Sequence, residues 1–326
     1  MSMAEEKPKI IVVIGPTASG KSDLAVKIAR KFNGEIVSAD SRQIYRGMDI
    51  GTAKLKLTAR GKSLIADGIP HYLIGIKIPD QEYSAAEYKR DAIRIIKKIL
   101  HKRKLPILVG GTGLYVKAVV ENLNIPKVRS NPALRMKLER ELQTEGLKHL
   151  FNRLVRLDPE AEYIVDRKNP RRVIRALEVA LTTGNPFSAQ RRSGKPLFRA
   201  LEIGIKLSPA KLRNNINRRV DEMIKAGLIN EVQRLVSRYD ERYKALDAIG
   251  YREIIDYLKG AIPPEEAARR IKVNTWHYAK RQITWFKKDK KIIWIKEPRE
   301  ATGVIKKFLE KKKPADTWSA GTNPVG

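Results

Sequence analysis

The 326-residue chain contains no cysteine. That excludes disulfide bonds, cysteine nucleophiles and cysteine-based zinc sites together. Histidine is scarce as well, with four in all. A histidine-built metal centre is therefore not expected, and His71 and His277 read as packing or hydrogen-bonding residues. No apolar run approaches the ~20 residues that a membrane-spanning helix needs. Residues 1–9 carry charge but no apolar core, so they do not read as a secretory signal. No internal repeat is visible. Acidic residues are also in short supply: 36 Asp and Glu stand against 67 Lys and Arg, a formal net charge of +31. An excess of that size points to a polyanionic partner. Nucleic acid fits better than a membrane surface, because no basic amphipathic helix carries an aromatic face. A merely solvated, salt-tolerant surface would share this composition.

What is present is an apolar content of 42%, enough for a substantial core. Residues 10–14 form a β-branched run that ends at Gly15 and reads as a buried parallel strand. Residues 23–31 follow with a helical pattern. Further strands are expected at 35–39, 71–78 and 106–109, with a helix over 84–101 whose apolar residues recur at helical spacing. Strands alternating with helices imply an α/β domain with a parallel sheet. From 131 to about 183 the pattern is helical and rich in arginine, and residues 184–196 read as a loop. A strand returns at 201–207. Residues 209–287 are helical with breaks at Gly227, Gly250 and 260–264, before a short strand at 291–295 and a last helix at 300–312. The expected organisation is an α/β core from residues 1–125 and 200–312, a helical insertion at 126–199, and a disordered polar tail at 313–326.

Gly15-Pro16-Thr17-Ala18-Ser19-Gly20-Lys21-Ser22 fits the phosphate-binding pattern G-x-x-x-x-G-K-[ST], with a strand leading in and a helix leading out. Glycine lets the backbone wrap phosphate oxygens. The amides of residues 20–22 open a helix, whose dipole favours an anion. Lys21 adds a point charge and Ser22 is the expected Mg²⁺ ligand. The loop binds a di- or triphosphate, which does not decide whether phosphate is transferred or leaves. Asp40, after the second strand, sits over the same crevice. It could hold Mg²⁺ or act as a general base. Gln43 could read a base edge or brace its loop.

Several blocks carry a resemblance to one family. They are Gly15–Ser22 and Ser38-Ala39-Asp40-Ser41-Arg42-Gln43-Ile44-Tyr45 with its continuation to Lys54. Pro70-His71-Tyr72-Leu73, Val109-Gly110-Gly111-Thr112-Gly113-Leu114-Tyr115 and Arg172-Val173-Ile174-Arg175-Ala176-Leu177-Glu178-Val179 follow, then Gly250-Tyr251-Arg252 and Ala279-Lys280-Arg281-Gln282-Ile283-Thr284-Trp285-Phe286. Together, in this order over residues 10–294, they resemble the tRNA dimethylallyltransferases (tRNA isopentenyltransferases). The resemblance implies a P-loop NTPase-like core with a helical insertion domain. It implies transfer of the dimethylallyl group from dimethylallyl diphosphate to N6 of the adenosine 3′-adjacent to the anticodon, with Mg²⁺ and release of diphosphate. Residues Gly15, Pro16, Thr17, Ala18, Ser19, Gly20, Lys21 and Ser22 would hold the diphosphate. Asp40 would be the general base, Thr112 would orient the amine, and Lys21 and Arg281 would stabilise the leaving group. Asp40, Ser41, Arg42, Gln43, Thr112, Arg135, Arg172, Arg175, Gly250, Tyr251, Arg252, Lys280, Arg281 and Gln282 would contact the tRNA anticodon stem-loop. The target base must leave its stack to react.

Three positions depart from the family pattern: Arg42 replaces a usual methionine, Tyr72 a common histidine and Trp276 a common arginine. Eukaryotic relatives often carry a C-terminal zinc finger, which a chain without cysteine lacks, so it resembles the shorter bacterial form. It is expected to be a cytoplasmic monomer with no membrane association. Three other functions share parts of this pattern. An adenylate isopentenyltransferase needs neither the insertion nor +31. A small-molecule kinase would consume ATP, and a non-catalytic RNA-binding protein would leave Asp40 and Lys21 unexplained.

Overall fold

The computed structural model describes residues 6–55, 58–60, 63–126, 131–191 and 193–310. The elements run in the order β1 (Lys9–Ile14), α1 (Lys21–Lys31), β2 (Gly34–Ser38), β3 (Thr58–Arg60), β4 (Ser63–Ala66), β5 (Ile69–Tyr72), α2 (Ala85–His101), β6 (Leu105–Gly110) and α3 (Gly113–Val120). There follow α4 (Pro132–Leu157), α5 (Ala161–Ile164), α6 (Pro170–Thr183), β7 (Arg199–Ile205), α7 (Pro209–Lys225), α8 (Leu228–Val236), α9 (Tyr251–Leu258), α10 (Pro264–Phe286), β8 (Ile293–Ile295) and α11 (Pro298–Glu310). One eight-stranded sheet has the order β3-β4-β5-β2-β6-β1-β7-β8. Every pair is parallel except β3–β4 and β4–β5. This is the α/β, P-loop NTPase-like architecture.

The central strands are apolar on both faces because helices cover both. Ile10, Val12, Ile14 and Leu108 pack against Tyr88, Ala92, Ile96 and Ile99 of α2 and Val116 of α3. Ile11, Val13, Ile36 and Ile107 face Leu24, Ala25 and Ile28 of α1 and Ile305 of α11. Ser84 starts α2 with a capping box: its hydroxyl accepts from the Glu87 amide while Glu87 reaches back to the Ser84 amide. The helices after β7 build their own apolar cluster, in which Leu212, Ile216, Leu228, Val232 and Ile254 enclose Ile44 and Met48 from the loop after β2. A further cluster joins Leu138, Leu150 and Leu154 of α4 to Val173 and Leu177 of α6. Residues 313–326, the expected tail, lie outside the described residues.

The expected strand at 71–78 is corrected: β5 ends at Tyr72. Leu73 and Gly75 take positive φ and turn the chain away from the sheet. The Gly75 and Lys77 amides then donate to Gln43 and Ile44 carbonyls. The apolar residues there cover the loop after β2 instead. The β3–β4 hairpin and α3 are additional to the elements read from the sequence.

Buried glutamates tie the loops down. Glu231 accepts from the amides of Asp49 (3.0 Å), Ile50 (2.7 Å) and Gly51 (3.1 Å) and from the Tyr251 hydroxyl (2.7 Å). Glu231→Ala would leave those donors orphaned. It is expected to lower unfolding free energy by about 3 kcal/mol, measured by denaturant titration. Tyr72 has a similar anchor, and its departure from histidine is explained by it. Its hydroxyl donates to buried Glu35 (2.7 Å), which also holds Lys102 (2.9 Å) and Lys104 (3.0 Å).

Candidate active site

The loop from Gly15 to Ser22 leaves the carboxyl end of β1 and turns into α1. Gly20 takes φ +82° at the α1 N-cap, where no side chain caps the helix, so the opening amides point outward. Ala18 takes φ +60°, a conformation an L side chain adopts only when its surroundings hold it. One brace is Asn215 on α7, which donates to the Ala18 carbonyl (3.1 Å). Another is Gln282 on α10, which accepts from the Thr17 amide (2.8 Å) and donates to the Gly111 carbonyl (2.9 Å).

A cleft opens above this loop, lined by Thr17, Lys21, Ser22, Asp40, Gln43 and Arg219 together with Ile36, Leu55, His71, Ile74 and Val109. A more open depression beside α9 is lined by Arg252, Asp247, Glu241, Lys259 and neighbours, and lacks an anion-binding loop. Lys21 donates to the Pro16 carbonyl (3.2 Å). Burial pushes its ammonium down to about 8, Asp40 acts in the opposite direction, and Arg219 pushes it further down. Burial lowers Arg219 too, opposed by Asp40. Two buried cations whose desolvation outweighs the pull of Asp40 suit a diphosphate ligand.

Asp40 follows β2, and its Oδ1 accepts from the amides of Arg42 (2.8 Å) and Gln43 (3.3 Å). This cap fixes the carboxyl at the cleft. Thr112 bridges from β6: its Oγ1 accepts from the Ser41 amide (3.0 Å) and donates to the Ser41 hydroxyl (3.3 Å). Glycine is required where these segments meet. A Cβ on Gly110 would stand 2.1 Å from the Ala39 carbonyl oxygen, and one on Gly113 2.1 Å from Trp285 Nε1. Gln43 donates to the Thr52 carbonyl (3.2 Å), so its amide braces its own loop while lining the cleft. His71 donates from Nδ1 to the Ile69 carbonyl (2.8 Å), and burial pushes it below its ordinary value, so it is neutral. His277 is exposed on α10.

A protein-family model described as IPP transferase matches residues 43–289. The chain belongs to the IPP transferase family. It is 42% identical over 306 residues to a tRNA dimethylallyltransferase of Carboxydothermus hydrogenoformans, covering 93% of this chain and 96% of that one. It is 46% identical to the protein of that name from Thermoanaerobacter sp. strain X514, over 88% and 91%. Among solved structures it resembles a tRNA isopentenylpyrophosphate transferase of Bacillus halodurans, with 39% identity, a TM-score of 0.66 and coverage of 93% and 96%. A eukaryotic dimethylallyltransferase acting on tRNA aligns with a TM-score of 0.75 at 27% identity, over 93% and 79%.

In this IPP transferase the expected site residues separate into groups. Thr17, Lys21, Ser22, Asp40 and Gln43 line the cleft, while Thr112 and Ser41 are tied to each other beside Asp40. Arg281 is not among the side chains lining the cleft in the ligand-free protein, but it borders it through Tyr278, which senses both Asp40 and Arg281. Gln282 faces inward, so Arg281, a helical step of ~100° away, is exposed and lies 5.8 Å from the Tyr278 ring centroid. The cation beside Lys21 is Arg219, which the sequence reading missed because it is one of 67 Lys and Arg. Tyr251 is fully buried with its hydroxyl on Glu231, so it offers no ring to a base. Gln282 is buried on the phosphate loop and does not face RNA. Arg42 donates to the Lys244 carbonyl (2.5 Å) and the Ala245 carbonyl (3.3 Å), a tie that methionine cannot make. Trp276 lies under the Arg213 guanidinium at 4.8 Å. Arg172, Arg252 and Lys280 are exposed, with Arg252 paired to Asp247 (3.2 Å). Arg135 and Arg175 share Glu178.

Gln282→Ala would free both the Thr17 amide and the Gly111 carbonyl. It is expected to raise the KM of the diphosphate substrate by about tenfold, with tRNA affinity nearly unchanged, in steady-state kinetics and filter binding.

Proposed function

We propose that this IPP transferase moves a dimethylallyl group from dimethylallyl diphosphate to N6 of the adenosine 3′-adjacent to the anticodon of tRNA. One observation carries the reading: a carboxylate fixed by backbone amides, Asp40, faces the same cleft as a phosphate loop flanked by Lys21 and Arg219. The amine attacks the allylic C1. The C1–O bond breaks, its electron pair leaves with diphosphate, and the N6–C1 bond forms. An N6 proton passes to Asp40. The loop amides, Lys21 and Arg219 take up the charge that grows on the leaving group. The apolar residues in the cleft lining, Ile36, Leu55 and Val109 among them, suit the prenyl tail.

Mg²⁺ fits the donors present. The Ser22 hydroxyl is a hard oxygen donor at the cleft, and Mg²⁺ would take its other ligands from diphosphate and water. Among the described residues no group of three or more His, Cys, Asp or Glu could hold a metal alone, which suits an ion brought in with the diphosphate. When bound it would neutralise leaving-group charge. Ser22 is the residue placed to hold it at the loop.

Arg135, Arg172 and Arg175 are assigned to the anticodon arm, with Lys280, Arg281 and Arg252 as further phosphate contacts. The target base stacks out of its loop into the cleft. In this reading the protein acts on tRNA as a cytoplasmic monomer. No helix among the described residues is long and apolar enough to cross a membrane. Diphosphate release tests the reading. It should require dimethylallyl diphosphate and tRNA together. Conversion of ATP to ADP with transfer of its terminal phosphoryl group to an acceptor, with no need for the prenyl donor, would replace it with a kinase.

A further inference from the structure

His71 lies on β5, beside Ile36 of β2 in the parallel register. It is 4% exposed, and it lines the cleft with Ile36, Leu55 and Ile74. Its Nδ1 stands 2.8 Å from the Ile69 carbonyl oxygen. A carbonyl can only accept, so Nδ1 carries the proton and Nε2 keeps its lone pair. Burial holds the ring neutral. Nε2 is buried and has no hydrogen-bond partner among the described residues. A buried acceptor of this kind calls for a donor, and here the open side is a ligand cleft.

The neighbouring polar groups in the cleft are already engaged. The Ser38 hydroxyl donates to Gln43 (3.4 Å), the Gln43 amide donates to the Thr52 carbonyl (3.2 Å), and Asp40 accepts from backbone amides. The charges are also elsewhere. Among the described residues the charged group that acts on the His71 ring is Asp67, in the turn between β4 and β5. Lys21, in contrast, feels Asp40 and Arg219. The strand order β5-β2-β6-β1 sets His71 three strands, about 14 Å across the sheet, from the strand that launches the phosphate loop. His71 therefore stands apart from both the diphosphate cations and the base.

With diphosphate on the loop and C1 beside Asp40, the part of the donor left to extend along the sheet is its tail. A plain dimethylallyl tail is all carbon and gives Nε2 nothing. A tail with a hydroxyl gives it a hydrogen bond. We propose that His71 is a specificity-determining residue for the donor, and that its Nε2 accepts from a hydroxyl on a terminal methyl group of the allylic diphosphate. The cleft then takes the hydroxylated donor at least as readily as the plain one. This inference rests on the proposed function and refines its substrate class. The chemical step is unchanged: C1–O breaks, N6–C1 forms, and the hydroxyl is carried through unreacted onto the tRNA.

Two variants separate this role from a histidine that only ties down β5. In His71→Asn the side-chain amide can still donate to the Ile69 carbonyl, and nothing remains at the Nε2 position. In His71→Gln the longer amide reaches the Nε2 position and the Ile69 bond is lost. The probes are dimethylallyl diphosphate and the same compound hydroxylated on one terminal methyl, each with unmodified tRNA. For each protein kcat/KM is measured with both donors, together with the thermal midpoint. The unaltered protein is expected to use the hydroxylated donor with a kcat/KM at least equal to that of the plain one. His71→Asn should lower kcat/KM for the hydroxylated donor about tenfold, the loss of one hydrogen bond, and leave the plain donor within about threefold. His71→Gln should keep the ratio between the donors within about threefold of the unaltered protein. Should His71→Asn unfold at the assay temperature, His71→Leu removes both nitrogens and fills the space, with the same expected pattern. An equal fall for both donors, a ratio that does not move, or a ratio lost in His71→Gln but kept in His71→Asn would overturn the proposal. Rejection of the hydroxylated donor by an unaltered protein that transfers the plain one would overturn it too, and would leave the proposed function standing. Transfer of neither group to tRNA would mean that the functional reading itself has failed.

Discussion

Replacing Asp40 with asparagine is expected to lower kcat by ~10² or more, the range for loss of a positioned general base. Affinity for tRNA should stay within about threefold. Asparagine is the informative substitution because its side-chain oxygen can still accept from the Arg42 and Gln43 amides. The loop after β2 keeps its shape and only the proton acceptor is lost. An exocyclic adenine amine is weakly nucleophilic and becomes acidic as the new bond forms, so the acceptor matters in the transition state. Single-turnover kinetics with saturating tRNA isolates that step. A kcat near that of the unaltered protein would remove Asp40 from the role.

Loss of either cation beside the phosphate loop is expected to be as severe. Lys21→Ala and Arg219→Ala should each lower kcat/KM for the prenyl diphosphate by ~10² to 10³, the range for one preorganised charge-stabilising donor. The pH profile distinguishes them. Burial holds the Lys21 ammonium at about 8 in the ligand-free protein. Its charged form binds the diphosphate, so kcat/KM for the donor should be level below that pH and fall above it, about tenfold per pH unit. Profiles of kcat should lack this limb, because bound diphosphate restores the proton. Arg219→Ala removes a like charge, so the limb should move to higher pH. Asp40→Asn removes an opposite charge and should move the limb in donor binding to lower pH. A limb unmoved by either change would exclude Lys21 as its source.

The parts of this site that were legible in the sequence share a property. The phosphate loop and the Gly110-Gly111-Thr112-Gly113 turn are contiguous, and backbone geometry demands their glycines. Strands β1 and β6 were legible because burial on both faces leaves a nearly unbroken apolar run, and β2 and β7 because their apolar residues are interrupted only by single buried glutamates, Glu35 and Glu202. The residues after Tyr72 also looked strand-like, since alternation does not reveal whether the partner is a sheet or a loop. Positive φ at Leu73 decided it.

Contacts between distant segments left no local trace. Arg219 lies 179 residues beyond Asp40 on α7, where it is one cation among many. Tyr251 and Gln282 stand in motifs rich in exposed residues, yet helical rotation turns both inward, onto Glu231 and the phosphate loop. The buried glutamates were the least visible. In a chain of net charge +31 an acid reads as a solvated counter-charge. Instead Glu35, Glu178, Glu231 and Glu253 are buried anchors for backbone amides, cations and polar side chains. This use of acids inside the fold leaves the cationic excess facing outward, where a polyanion can meet it.

The most direct measurement is mass spectrometry of nucleosides from unmodified tRNA incubated with the protein, Mg²⁺ and dimethylallyl diphosphate, with AMP as a parallel acceptor. The account predicts an N6-dimethylallyl adenosine from tRNA at the position 3′ of the anticodon, and none from AMP. Product from AMP, or no prenylated nucleoside from either acceptor, would contradict it.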